Sequence, residues 1–260
     1  MKPEKRQKKI LAILRAMQKE IRVEELVEML GVSSLTIRRD LKQLARDKTI
    51  IRTHGGCLSV GRAALETEYH NKVALNFELK QAIGRRTAES VKSGEVLLVN
   101  DGSTTFHLAA HLGYRAPLTI YTNSLAMISE LGRYPGIRLY ILGGEYYHES
   151  YSLKGGLTEQ ILDSLHFDWV FLGADAIDEA GKCMVGTPEE ARMTRLMLKS
   201  GDKKVLLADH TKVGKRGYTA YGKLDDFDEW ITTGGIDADS LLRYQKMTRI
   251  IRVFLNENQA

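Results

Sequence analysis

Cysteine is scarce. Cys57 and Cys183 are the two in 260 residues, and no Cys-x-x-Cys pair exists. Neither a disulfide framework nor a cysteine-based zinc site is suggested, and the expectation is two reduced thiols with neither metal nor cofactor. Long apolar runs are also lacking: no segment approaches the roughly 18 apolar residues of a membrane helix. The basic start MKPEKRQKK is followed by ILAILRAM, which Arg15 interrupts and which no small-residue cleavage site follows. A secretory signal is not expected. These absences point to a cytoplasmic protein away from membranes. What is present is an ordinary globular composition, 43% hydrophobic and 27% charged, with room for one large domain or two smaller ones.

Positive charge is concentrated at one end. Residues 1–60 carry 14 Lys and Arg against 7 Asp and Glu, while residues 61–260 carry 24 against 26. A basic head on a near-neutral body suggests a polyanion-binding module joined to something else. The head is patterned rather than low in complexity. Ile10, Ile13, Leu14 and Met17 mark one helical stripe, and Val23, Leu26, Val27 and Leu30 a second, shorter one. Gly31 breaks the second helix as a residue able to take positive φ, and Ser33 is placed to cap the next. That helix, SLTIRRDLKQLARDK, puts Ile37, Leu41 and Leu44 on one face. At about 100° per residue, Leu35, Arg39, Lys42 and Arg46 fall opposite, with Thr36 and Arg38 on the flanks.

Two short helices, a glycine turn and a basic outer face make a helix-turn-helix. Its outer face is expected in a DNA major groove, where Arg reads guanine bidentately and Lys mainly neutralises phosphate. Asp40 on this helix is expected to pair with a nearby Arg rather than meet DNA. TIIRTHGGCLSV then reads as a small hairpin, or wing, with Gly55-Gly56 at its turn and Arg52 and His54 near its tip. The expected DNA contacts are Ser33, Ser34, Thr36, Arg38, Arg39, Lys42, Arg52 and His54.

GVSSLTIRRDLKQL followed by IIRTHGG resembles the DNA-binding head of the DeoR family of bacterial transcriptional regulators. The resemblance implies sequence-specific operator binding, usually as a repressor.

Residues 1–58 form this winged module, 59–75 a linker, and 76–260 the body. The body alternates amphipathic helices with short continuous apolar runs, such as EVLLVN, LTIYTNS, IRLYILGGE, WVFLGADAID and KKVLLADHT. That pattern predicts a doubly wound, mostly parallel α/β sheet covered on both faces. Five strands end in polar or glycine-rich clusters, and in a parallel sheet those ends share one edge, where ligands bind.

DGSTT offers Asp101, Gly102, Ser103, Thr104 and Thr105 at a helix start, where the dipole favours an anion. Gly102 is expected to allow a tight turn. Asn123 and Ser124 suit ligand hydroxyls or a helix cap. Gly143-Gly144 would let backbone approach a ligand. Asp175 and Asp178 are candidate acceptors for sugar hydroxyls, as is Glu189 or Glu190, and Lys212 suits a phosphate or a carboxylate.

DGSTT, YTNS, ILGGE, SLKG, FLGADAID, EEA and LLADHTKVGK are similar to the family's effector domain. The resemblance implies a fold shared with ribose-5-phosphate isomerase and a phosphorylated-sugar effector that lowers operator affinity. Dimers or higher oligomers on spaced half-sites are expected. Many members carry Arg, Lys and Asp where this chain has Tyr147, Thr194 and Thr233-Gly234, so an unusual effector is anticipated. An isomerase-like enzyme is the alternative, with Asp175 and Glu190 as its acid and base. GADAID has no Lys-Gly-Gly run after it, as the isomerase would show, and the DNA-binding head favours a regulator.

Overall fold

The computed structural model describes residues 3–17, 21–46, 50–52, 56–59 and 67–255. The chain divides into two compact units, Met1–Phe77 and Glu78–Ala260.

The first unit runs α1 (Pro3–Met17), β1 (Ile21–Arg22), α2 (Val23–Leu30), α3 (Ser34–Arg46), β2 (Ile50–Arg52), β3 (Gly56–Ser59) and α4 (Thr67–Ala74). The stripes read from sequence meet in one core. Ile10 and Leu14 of α1, Val23 and Leu26 of α2, and Ile37, Leu41 and Leu44 of α3 are buried with Ile21, Ile50 and Cys57. Gly31 ends α2 at φ 63°, ψ 37°, its N–H donating to the Val27 carbonyl over 2.9 Å. Only glycine takes that left-handed conformation at little cost, so the turn between α2 and α3 is fixed by this residue.

β2 and β3 pair antiparallel as the expected wing, and β1 adds on the far side of β3. Two residues carry no periodicity, so β1 left no mark in the sequence. Gly56 is not in the turn but inside β3 opposite Arg22, where a Cβ would run into the Ile21 carbonyl oxygen. α4 packs on β2, so the stretch read as a connector contains a helix of this first unit.

The second unit opens with α5 (Phe77–Ala88), β4 (Val96–Val99), α6 (Ser103–Leu112), β5 (Leu118–Thr122), α7 (Ala126–Leu131) and β6 (Ile137–Ile141). There follow β7 (Glu145–Tyr147), β8 (Ser152–Lys154), α8 (Gly156–Asp163), β9 (Phe167–Gly173), β10 (Ala176–Ile177), β11 (Lys182–Val185) and α9 (Pro188–Lys199). It closes with β12 (Gly201–Leu207), β13 (Thr219–Lys223), β14 (Glu229–Thr233), α10 (Ala238–Tyr244) and β15 (Arg249–Val253).

Seven strands form one sheet in the order β15-β14-β12-β9-β4-β5-β6, every pair parallel. The chain winds outward from β4 to β6, then crosses back beside β4 at β9 and winds the other way. This is the doubly wound topology expected. Side chains alternate across it: Leu97 and Val99 are buried with Ile83 of α5, Leu108 of α6 and Met127 of α7. Leu98 points to the other face, into a core with Met197 of α9 and Tyr244 of α10. An antiparallel β10-β11-β13 sheet and a β7-β8 hairpin are additions. Lys182–Val185 and Thr219–Lys223 were not legible as strands. No helix among the described residues is long and apolar enough to cross a membrane.

Candidate functional site

Two polar surfaces stand out, one in each unit. In the first, α3 buries Ile37, Leu41 and Leu44 and leaves Ser33, Ser34, Leu35, Arg38, Arg39 and Lys42 exposed, with Thr36 half-buried. Ser33 opens the helix as expected, its Oγ lying 2.9 Å from Thr36 Oγ1 and accepting the Thr36 N–H at 3.4 Å. Asp40 is buried and takes Arg6 of α1 on both carboxylate oxygens, with Nη2 to Oδ1 at 3.1 Å and Nε on Oδ2. The acidic residue of α3 is thus withdrawn from the surface, and the outward face keeps its cations. Arg52 is exposed at the end of β2. His54 lies outside the described residues.

In the second unit, the strand order reverses between β4 and β9, and a crevice opens at such a switch point in any doubly wound sheet. Here the crevice is an open, shallow cleft with a cavity volume of about 30 Å³. Gly102, Ser103, Thr104, Asp175, Glu190 and Lys212, all expected from sequence, line it together with Asn100 and Gly173. Residues more than a hundred positions apart converge because each follows the carboxyl end of a strand or opens the next helix.

α6 starts at Ser103 with Gly102 as its N-cap, no side chain caps it, and its first turn carries no acidic residue. The first N–H groups of a helix have no intrahelical acceptor, so those of α6, where Gly102, Ser103 and Thr104 line the cleft, remain open to an anion. Gly102 adopts φ −65°, ψ 147°, open to any residue, so the expected tight turn is not its reason. A Cβ there would sit 3.1 Å from Thr105 Oγ1 and 3.2 Å from Asn100 Oδ1. Asn100 was missed. Its Oδ1 accepts from the N–H groups of Gly102 and Gly173, each at 3.3 Å, and so ties the ends of β4 and β9 together. Thr105 is fully buried and spends its hydroxyl on the Asn100 and Gly102 carbonyls at 2.8 and 2.7 Å.

Opposite α6, Asp175 follows β9 and Glu190 lies in the first turn of α9, whose N-cap Thr187 accepts the Glu190 N–H at 3.1 Å. A Cβ on Gly186 would stand 3.7 Å from Glu190 Oε2 and 3.8 Å from Asp175 Oδ2, so the two carboxylates approach one point. Glu189 is exposed instead. Asp178 holds its own turn, accepting from the N–H groups of Ala180 and Lys182 at 3.0 and 2.8 Å. Lys212 sits on a short helical turn started by Asp209, whose Oδ1 accepts the Thr211 N–H at 2.9 Å. Thr233, where the family's Asp was expected, accepts the His210 N–H at 3.1 Å and lies 2.6 Å from His210 Nδ1.

A second, buried cluster lies beside the cleft. Asp101 Oδ2 is 3.3 Å from Lys154 Nζ, and both side chains are buried. Burial opposes ionisation of Asp101, but the Lys154 charge, with Ser152 and Asn123, outweighs it and holds the carboxyl below its ordinary value. Burial likewise opposes the Lys154 charge, and Asp101 and Glu190 overcome it, raising the ammonium above its ordinary value. Asn123 and Ser124 are fully buried, and Asn123 Oδ1 and Ser124 Oγ have no hydrogen-bond partner among the described residues. Gly143 and Gly144 pack against this cluster's support. The Gly143 carbonyl accepts the Thr158 hydroxyl at 2.5 Å, and a Cβ on Gly144 would run into the Lys154 carbonyl. Their close approach is to the chain itself.

Lys154 was not among the expected site residues. It is a single lysine in a three-residue strand, and the signal that could have found it is the SLKG stretch of the resemblance, where it shares a strand face with Ser152. Among the described residues, no group of His, Cys, Asp and Glu is placed to hold a metal.

A family model described as the DeoR C terminal sensor domain matches residues 75–234, and one for the DeoR-like helix-turn-helix domain matches residues 6–62. The chain belongs to the DeoR family. This DeoR-family chain is 34% identical to the HTH-type transcriptional regulator GlpR of Haloferax volcanii, over 84% of its own length and 85% of that protein. It is 32% identical to a lactose phosphotransferase system repressor of Staphylococcus aureus, over 79% and 82%. Its fold is similar to that of ribose 5-phosphate isomerase A from Methanocaldococcus jannaschii, at 21% identity and a TM-score of 0.40, over 53% of this chain and 55% of that one.

Proposed function

We propose that this DeoR-family regulator represses an operon for carbohydrate use and leaves its operator when a phosphorylated sugar binds the second unit. The observation that carries the reading is the uncapped start of α6 at the sheet's switch point, with Lys212 on the same cleft and the Asp175 and Glu190 carboxylates converging beside it. An anion suits the first, and hydroxyl donors suit the carboxylates. A sugar phosphate presents both. The names of the relatives, a lactose phosphotransferase system repressor among them, support the same reading.

Regulation then follows by linkage. An effector that binds better to a form with low operator affinity weakens DNA binding, and DNA weakens effector binding by the same factor. A dimer or higher oligomer places two α3 helices on spaced half-sites.

A thermal-shift screen of phosphorylated sugars, each beside its unphosphorylated parent, tests this. A ligand for the folded state raises the midpoint by mass action, and only the phosphorylated member of a pair should do so. Analysis of each hit after incubation reports any turnover, which an unaltered sugar phosphate would exclude. Ser103→Glu places a negative charge at the start of α6 and should abolish induction while leaving DNA binding. Induction that survives this change would remove the phosphate from the loop.

A further inference from the structure

We propose that Leu35 is a specificity-determining residue that reads the 5-methyl group of a thymine in the operator. The proposal rests on the reading of α3 as the helix that enters the major groove. Leu35 stands in the first turn of α3 and is 68% exposed. It has no part in the unit's core, which α3 supplies with Ile37, Leu41 and Leu44. Nor does it cap the helix, since Ser33 does that. On the helical wheel it lies about 160° from Ile37, on the outward face with Arg39 and Lys42. It is the apolar residue of a face otherwise made of Ser34, Arg38, Arg39 and Lys42, all exposed.

The N-terminal residues of a recognition helix are those that meet base edges. In the major groove each base pair shows donors and acceptors, and thymine adds a methyl, the group an apolar side chain recognises. Arg39 follows Leu35 by one helical turn, so their Cβ atoms are roughly 5–6 Å apart. At about 3.4 Å per base pair, a guanine read bidentately by Arg39 would lie one or two pairs from that thymine. The half-site is therefore expected to hold a T·A pair within two steps of a G·C pair.

The test begins by selecting short duplexes from a random library with the full-length protein. Binding to the selected duplex is then measured with each thymine replaced in turn by deoxyuridine, which removes the methyl alone. The wild-type protein should lose about fourfold in affinity at one thymine per half-site, the value of one buried methyl. Leu35→Ala should bind more weakly and no longer sense that change, while Leu35→Met should still sense it. Deoxyuridine without effect at every position, or an effect that persists in Leu35→Ala, overturns the proposal. Arg39→Ala separates the two readings. If it weakens binding while Leu35→Ala selects the same sequence, α3 still reads DNA and Leu35 does not. If neither change alters binding, α3 is not the recognition helix and the proposal falls with it.

Discussion

Each unit buries a carboxylate against a cation, and the two pairs are built differently. Asp40 is saturated: Arg6 engages both oxygens, and Gln7 Nε2 adds a 3.4 Å contact to Oδ1. Asp101 faces Lys154 through Oδ2 alone, in a cluster whose Asn123 Oδ1 and Ser124 Oγ are buried without partners among the described residues. A saturated pair clamps α1 onto α3 and has nothing left to offer a ligand. The Asp101 pair, which Ser152 and Asn123 also engage, has the unpartnered Asn123 Oδ1 and Ser124 Oγ beside it. The same chemistry is scaffold in one unit and candidate recognition machinery in the other.

The largest expected effect follows from breaking the saturated pair. Asp40→Ala takes from the buried Arg6 the carboxylate that it engages on both oxygens, an effect of up to about 3–5 kcal/mol. Both tryptophans, Trp169 and Trp230, lie in the second unit, so their fluorescence reports that unit, whereas far-ultraviolet circular dichroism reports both. In denaturant, the dichroism transition should move to lower concentration with the fluorescence midpoint unchanged. Coincident shifts would mean that Asp40 supports more than the first unit.

Lys154→Met breaks the other pair, with an effect toward the lower end of about 3–5 kcal/mol because Ser152 and Asn123 still face Asp101. The pH dependence distinguishes it. In the wild type the folded-state pKa of Asp101 is depressed below the unfolded value of about 3.9. Its contribution is therefore present above that value and lost as pH falls through the folded one. Without Lys154, the largest influence holding that value down is gone and the folded value rises relative to wild type. The variant therefore forfeits stability that the wild type gains as pH rises through about 4. Fluorescence-monitored unfolding should show the gap from wild type widening between acid and neutral pH. A constant gap would place the cost in packing rather than charge.

The helical face was legible because one helix carries it: the 3.6-residue period that buries Ile37, Leu41 and Leu44 also fixes what points outward. The cleft was legible through topology, since strand ends in a parallel sheet share an edge. What that rule does not say is which ends stand nearest the switch point. Asp175, Glu190 and Lys212 reach the cleft, whereas Asn123, Ser124 and the Gly143-Gly144 pair lie with the buried cluster. Lys154 escaped although SLKG is one of the stretches that carry the resemblance, because a lysine in a three-residue hairpin strand has no period to say that packing buries it. Asp40 shows the converse: its place next to Arg39 said that it needs a cation, and the fold supplies Arg6 from 34 positions earlier.

On the exposed face the effects are smaller and concern binding. Arg39→Ala should cost about 1–3 kcal/mol of operator affinity and relax specificity at one position. Lys42→Ala should weaken binding evenly across sequences and lower the salt slope by about one. Effector affinity should be unchanged in both. Equal loss of DNA and effector binding, with the fold preserved, would break the division of labour between the units.

The smallest effect tests the cleft's rim. The Thr233 hydroxyl accepts the His210 backbone N–H at 3.1 Å and lies 2.6 Å from His210 Nδ1. It thereby steadies the turn that carries Lys212. Thr233→Val removes the hydroxyl with little change of shape and leaves a backbone donor without that partner, a cost of about 0.5–1.5 kcal/mol. If the turn is held this way, the variant should bind the phosphorylated sugar found in the screen a few-fold more weakly and keep wild-type operator affinity in its absence. The unphosphorylated parent should show no further loss. An unchanged effector affinity would mean that Asp209, which caps the same turn through Oδ1, holds Lys212 by itself.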